Sequence, residues 1–375
     1  MRAAYLVAAR RTAVAPRGGA FKAVEADELG AAPIRTVLAD TGIAAEAIDD
    51  VIFGNALHGG GNPARLAALR AGLPDHVPAL TIDSQCCGGL DAIMLAAERI
   101  ASESADAVIA GGVESFSRAP LRARRPRHAD EAPQPYDRPP FAPWPERDPD
   151  MIAAAATLAK RFGISRARQD EFAIASHRKA LQNPPAAAEI TPLAGLSQDA
   201  FPRALTGATC TRLVPLAGDT AFGVTRATVA VEADAAAALL VVSETMARRL
   251  SARRPLRIIS ATRRGGDPAM PGAAPIAAAK SLLAAQRIAP TQIAVAEVME
   301  AFAAQAIACL DGIGVQESAL NRGGGGLARG HPIGASGAIL LVRLWHEMQS
   351  ESSGAIGLTT IAAAGGLGSA LLATI

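Results

Sequence analysis

The strongest constraint on the fold is a rhythm: short apolar runs alternate with amphipathic stretches over residues 1–118, and the alternation resumes from about residue 244. "AAYLVAA", "DDVIFGNAL", "PALTIDS" and "ADAVIAGGVES" read as strands. Between them, "ELGAAPIRTVLADTG" carries apolar residues at helical spacing and stops at Gly42. "NPARLAALRAGL" opens with an Asn cap and a first-turn proline, and "GLDAIMLAAERIAS" aligns Leu90, Ile93, Ala97 and Ile100 on one face. Strands alternating with helices predict an α/β fold whose sheet is mostly parallel and covered on both faces.

The middle of the chain breaks the rhythm. "APLRARRPRHADEAPQPYDRPPFAPWPERDP", from residue 119 to about 148, is rich in Pro and Arg and has no period, so it predicts a long surface excursion. Helical patterns follow, notably "SRARQDEFAIASHRKALQN". The expected organisation is a first half over residues 1–118, with 219–243 returning to it, an inserted loop domain over 119–218, and a second half over 244–375. A glycine-rich entry, a buried helix and a strand ending in Gly-Gly occur at residues 86–112 and again at 323–366, which implies two copies of one α/β unit.

Composition narrows the functional classes. Lys and Arg number 37 against 35 Asp and Glu, a net charge of +2, so nothing points to nucleic acid or an anionic membrane. Aromatics are 3% of the chain, so its core is built from Ala, Leu, Ile and Val. Four cysteines with no CxxC pair suit free thiols in a reducing cytoplasm. The terminal "IGLTTIAAAGGLGSALLATI" is long enough to cross a bilayer, but Gly357, Gly365, Gly366 and Gly368 fit a strand, a turn and a second strand instead. "AAYLVAA" runs straight into Arg10 and Arg11 and reads as a buried strand rather than an export signal.

Cys86 and Cys87 stand side by side in "TIDSQCCGGLDAIMLAAERI". Three readings are open for such a pair: inert core thiols, metal ligands, or a nucleophile beside a spectator. No histidine has metal-ligand spacing to either. Cys210 and Cys309 are isolated, and His58, His76, His128, His177 and His346 are scattered and read as surface or satisfied residues. "GGGGLARG" lacks the Lys-Ser/Thr ending of a phosphate loop, so close backbone packing beside His331 explains it better.

Five stretches together resemble the thiolase family, over nearly the whole chain. They are "GNPARLAALRAGLP", the nucleophile-loop-like "SQCCGGLDA", "ADAVIAGGVESFS", "RFGISRARQDEFAIASHRKA" and the Gly-His-Pro loop "RGHPIGASGA". The resemblance implies a five-layered α/β/α/β/α sandwich of two similar halves with an inserted loop domain, assembled as a dimer or tetramer. It implies an acyl-CoA thioester as substrate, with no bound cofactor or metal. It assigns Cys86 as nucleophile and leaves Cys87 at a variable position. His331 becomes the base that takes the thiol proton, giving an acyl-enzyme. A thiol before a helix start and beside an imidazole is expected to have a lowered pKa.

Two of the four loops that carry the family's active site depart from the pattern. Met299 stands where the family's Asn-Glu-Ala-Phe loop has its Asn, and Met has no N–H donor. Ala362 replaces the second catalytic Cys, and Ala364 the Gly after it. An oxyanion hole built from the backbone N–H groups of Cys86 and Ala364 is expected to survive. On the coenzyme side, Val229-Ala230-Val231 replaces an Ala-Ser-Gly stretch, with Ala230 at the pantetheine position. The arginines of 118–127 are candidates for coenzyme A phosphates and also read as a solvated basic loop. Two functions follow from these residues: an acyltransferase with impaired or altered carbon–carbon chemistry, or a non-catalytic thiolase-fold subunit binding acyl-CoA or a partner protein.

Overall fold

The computed structural model describes residues 2–375. The first half supplies strands β1 (Ala4–Thr12), β2 (Asp50–Gly54), β3 (Ala79–Ile82), β4 (Ala107–Glu114) and β5 (Ala233–Ser243). Its helices are α1 (Ala26–Thr41), α2 (Pro63–Ala71) and α3 (Gly88–Ala101). Asn62 caps α2, accepting from the Arg65 N–H, and Gly42 and Gly72 end α1 and α2 in the left-handed conformation. The inserted region contributes α4 (Met151–Arg161) and α5 (Arg166–Gln182), capped by Asp150 and Ser165. The second half adds β6 (Leu256–Gly265), α6 (Ala274–Gln286), β7 (Ile293–Val298), α7 (Ala303–Ile313), α8 (Ile333–Met348), β8 (Ile356–Ala363) and β9 (Leu367–Thr374).

The strands run in the order β7-β8-β9-β6-β1-β5-β4-β2-β3. The halves meet where Tyr5 and Leu6 of β1 pair with Arg257 and Leu256 of β6. The mostly parallel sheet expected from the alternation is corrected to a mixed one. Pairs β2–β3, β2–β4 and β7–β8 are parallel, while β4–β5, β5–β1, β1–β6, β6–β9 and β9–β8 are antiparallel. The cause is in the connections. Ala364, Gly365 and Gly366 join β8 to β9, with φ of +77° and +81° at the glycines, and so short a turn can only reverse the chain. The long insertion before β5, in place of a single crossover helix, returns the chain antiparallel to β4.

Strand periodicity builds the layers. Along β5, Ala233, Ala235, Ala237, Leu239 and Val241 face the middle of the molecule, and Ala236, Ala238, Leu240 and Val242 face α1 and α2. Leu371 and Ala373 of β9 face the same middle, and Ala370 and Leu372 face α6 and α7. The middle layer is α3 and α8, through Leu90, Ile93, Ile339 and Leu341. The order is therefore helix, sheet, helix, sheet, helix. Alpha helices this buried must touch closely: a Cβ on Gly337 would stand 2.5 Å from the Leu90 nitrogen, and one on Gly89 2.7 Å from the Ala338 nitrogen. That contact carries the two helix starts, and with them Cys86 and His331, to one point.

Candidate active site

Cys86 lies in the turn that feeds α3, and His331 lies just before α8. The Cys86 Sγ and His331 Nε2 are 3.1 Å apart, and both side chains are half-buried. Gln85, immediately before the sulfur, holds φ at +56°, a conformation that costs a non-glycine residue about 1–3 kcal/mol and is found at functional sites. Asp83 supports the turn by accepting from the Gln85 N–H at 2.9 Å.

The imidazole is oriented from behind. Its Nδ1 lies 2.7 Å from the Ser336 Oγ, and that hydroxyl donates to the Pro332 carbonyl at 3.0 Å. The Ser336 proton is thereby used, so its oxygen accepts from Nδ1–H and the Nε2 lone pair faces the thiol. The second half of the site is tied to the first by Glu114. Its buried carboxylate accepts from the N–H groups of Ala56, Leu57 and Gly334 at 3.0, 3.1 and 2.8 Å. Burial raises the pKa of this carboxyl to about 7 against those bonds.

The expectation of a lowered thiol pKa is reversed. Burial pushes Cys86 up to about 12, opposed by the backbone N–H groups of Cys86 and Ala364, while the negative Glu114 adds to the rise. Burial lowers His331 to about 4. Desolvation outweighs the N–H groups that favour the thiolate, so the resting pair is a neutral thiol and a neutral base.

Around the pair is a cavity of ≈ 180 Å³. Ala230, Ala362 and Ala364 line it with Cys86 and His331; Met299 does not. The Met299 side chain is 3% exposed and joins the middle core, with its Cε 2.6 Å from where a Cβ on Gly326 would stand. Gln85, Cys86, Gln305 and His331 carry the polar side chains among the lining residues, and none of these residues is a carboxylate, a lysine, an arginine or a second cysteine. Gln305 is 2% exposed, accepts from the Ala301 N–H at 3.3 Å and turns its amide toward Cys309 Sγ at 3.4 Å. Glu300, next to Met299, accepts from Ser176 and Asn321 at 2.6 Å and from the Leu327 N–H at 3.3 Å, so it anchors the loop.

Other candidates fall outside the cavity. Cys87, Cys210 and Cys309 are buried thiols. The arginines of 118–127 do not line it: Arg118 pairs with Glu25, and Arg122 reaches the Ala56 carbonyl. His177 is buried with Nε2 lacking a partner, which corrects its reading as a surface or satisfied residue. No helix among the described residues is long and apolar enough to cross a membrane.

A family model for the thiolase N-terminal domain matches residues 4–245, and one for the thiolase C-terminal domain matches residues 253–374. The chain belongs to the thiolase family. It is 36% identical over 389 residues to "Putative acetyl-CoA C-acetyltransferase VraB" of Staphylococcus aureus (strain MRSA252), covering 100% of both chains. The protein of that name from Staphylococcus epidermidis is 36% identical over 385 residues, covering 99% of this chain and 98% of its own. In three dimensions the chain is similar to the acetyl-CoA acetyltransferase of Bacillus anthracis, with a TM-score of 0.90, 29% identity, and coverage of 100% of this chain and 99% of that one. The five-layered thiolase fold and membership of an acyltransferase family stand on these matches and on the layers described above.

Ser336 and Phe141 are among the residues of this thiolase site that escaped sequence reasoning. Ser336 lies inside "RGHPIGASGA", and a hydroxyl four residues after a carbonyl at a helix start was the available signal. Phe141, which also lines the cavity, sits in the aperiodic Pro-rich excursion, where nothing in the pattern marks it.

Proposed function

We propose that this thiolase is an acyltransferase that forms an acyl-enzyme on Cys86 from a coenzyme A thioester, with altered carbon–carbon chemistry. The observation that carries the reading is the 3.1 Å contact between Cys86 Sγ and His331 Nε2 in a cavity lined by Ala362, where the family resemblance implies a second Cys. His331 Nε2 accepts the thiol proton as sulfur bonds the acyl carbon. The N–H groups of Cys86 and Ala364 stabilise the oxyanion. The bond to the coenzyme sulfur then breaks, and the imidazolium returns its proton to the leaving thiolate. The products are acyl-Cys86 and free coenzyme A. The thioester is a substrate, and no bound cofactor enters.

The second half-reaction differs from ordinary condensation or thiolysis. Ala362 has no ionisable group, and the loss of a general acid–base typically costs about 10²–10⁴ in rate. Met299 has no donor and is turned into the core; a missing oxyanion donor typically costs about 10²–10³. The acceptor in this reading carries its own labile proton: a thiol, an amine, water, or an already acidic carbon. The same two residues favour a second reading, a non-catalytic subunit that binds acyl-CoA or a partner protein.

One experiment separates them. The protein is incubated with acetyl-CoA and with longer acyl-CoAs, quenched in acid and weighed intact. The acyltransferase reading expects one acyl mass on Cys86, absent from Cys86→Ala and slowed at least 10²-fold in His331→Ala. No adduct at any chain length overturns it in favour of the second reading. Assembly as a dimer or tetramer is also proposed, supported by the open sheet edge at β3 with its exposed Leu80. A cytoplasmic setting suits four free thiols.

A further inference from the structure

The proline-rich excursion does not stay on the surface. Its Phe141 is half-buried and lines the cavity together with Ala362, Ala363 and Ala364. The ring is held from its own segment: the Arg138 guanidinium carbon lies 4.7 Å from the ring centroid. Arg138 Nη1 in turn donates to Asp148 Oδ2 at 3.2 Å, and Nη2 donates to Asp148 Oδ1. Asp148 Oδ1 also accepts from the Phe141 N–H at 3.2 Å. A second tie, Arg147 to Asp267 at 3.3 Å, fastens the excursion to the segment after β6. The Phe141 carbonyl lies 2.9 Å from where a Cβ on Gly365 would stand, so the backbone rests directly on the β8–β9 turn.

Helix α4 adds Met151, Ala155 and Leu158 to the lining. An acyl group on Cys86 is therefore bounded by apolar atoms from two pieces of the inserted region. A polar or charged acyl tail would lose its hydration there without a partner. Each methylene that fits gains about fourfold in affinity from burial, and a wall that stops one more methylene discriminates by roughly 10–200-fold.

We propose that Phe141 is a specificity-determining residue, the wall that limits the length of an apolar acyl chain at Cys86, with the Arg138–Asp148 clasp as its support. This rests on the acyl-enzyme reading of the same site. The ring comes from a segment without regular structure, so its position depends on the clasp. Truncating the ring opens the chain end and leaves Cys86, His331 and Ser336 in place.

The test compares rates of Cys86 adduct formation from acetyl-CoA and octanoyl-CoA by acid quench and intact mass. Phe141→Ala is expected to raise the octanoyl-to-acetyl ratio at least tenfold over the unsubstituted protein, and Asp148→Asn to raise it by less. Phe141→Leu, which keeps apolar volume, serves if Phe141→Ala does not fold, and its ratio is expected to rise at least threefold. A rise of less than tenfold for Phe141→Ala, or of less than threefold for Phe141→Leu where that is the folded variant, overturns the proposal. Calorimetric dissociation constants of both thioesters for Cys86→Ala, with and without the Phe141 substitution, provide a readout independent of acylation. If no adduct forms in any protein, the acyl-enzyme reading falls, and the same tenfold criterion applied to the affinity ratio decides the role of Phe141. An unchanged affinity ratio, or no binding of either thioester, overturns it.

Discussion

At the scale of single residues, the chemistry turns on which form of Cys86 and His331 rests in the cavity. Burial raises the thiol to about 12 and lowers the imidazole to about 4, so between those values both are neutral. His331 Nε2 is then a free base above about pH 4, and it becomes imidazolium, unable to take a proton, below that. The rate of Cys86 acylation is expected to rise through about pH 4 and to stay level from pH 6 to 9. A nucleophile that had to ionise first would instead climb through the ordinary thiol value of about 8.5. Stopped acylation measured across this range decides the point, and a rate climbing more than fivefold between pH 7 and 9 would contradict the neutral pair. Cys86 and His331 were legible in the sequence because they sit in short loops whose residue types carry the chemistry, whereas Ala362, near the end of β8, and Ala364, in the turn after it, were read only through the family resemblance. Met299 was legible as a missing donor, but its turn into the core was not, since that depends on Gly326 and on the layers behind it.

At the scale of elements, β3 is the edge of the sheet, and its residues are not well covered. Leu80 on β3 and Leu66 and Leu69 on α2 are 47%, 47% and 40% exposed. An open strand edge beside exposed leucines is a template for another chain. In a homo-oligomer, two copies would cover it, directly upstream of the Cys86 turn. Light scattering is expected to show at least a dimer for the unsubstituted chain and a shift toward monomer for Leu80→Lys. A monomeric unsubstituted chain, or an assembly untouched by that charge, would rule out this edge. Elements with strong local signals were legible: α2 by its cap and proline, α8 by its apolar face, and the β8–β9 pair by its glycines. Strand β5 was not, because "ADAAAALLVVS" is buried on both faces, shows no period of two, and is rich in the best helix former. The antiparallel pairings of β5 with β4 and β1 were not legible either, because they follow from where the long insertion returns the chain.

At the scale of the whole molecule, the inserted region is joined to both halves by buried charge. Arg11 of β1 donates through Nη1 and Nη2 to Asp199 at 2.6 and 2.9 Å and through Nε to Glu189 at 2.6 Å. Arg329, two residues before His331, adds Nε at 3.3 Å from Asp199, and Arg343 of α8 pairs with Glu189. Burial alone would raise Asp199, but Arg11, Arg329 and the Val14 N–H hold it at about 2. Its folded pKa is thus below the unfolded value of about 3.9, so its contribution is complete above the unfolded value and is lost as pH falls toward 2. Asp199→Asn removes the charge at constant size, leaving Arg329 buried without its carboxylate partner and Arg11 with Glu189 alone. The expected cost is about 3–5 kcal/mol at neutral pH, the usual result of breaking a buried pair from one side. The variant should also lose less stability than the unsubstituted protein between pH 4 and 2, since the titrating group is gone. Denaturant unfolding at pH 7 and across that acid range measures both. A change under about 1 kcal/mol at pH 7 would mean that water, rather than Asp199, already satisfies these arginines.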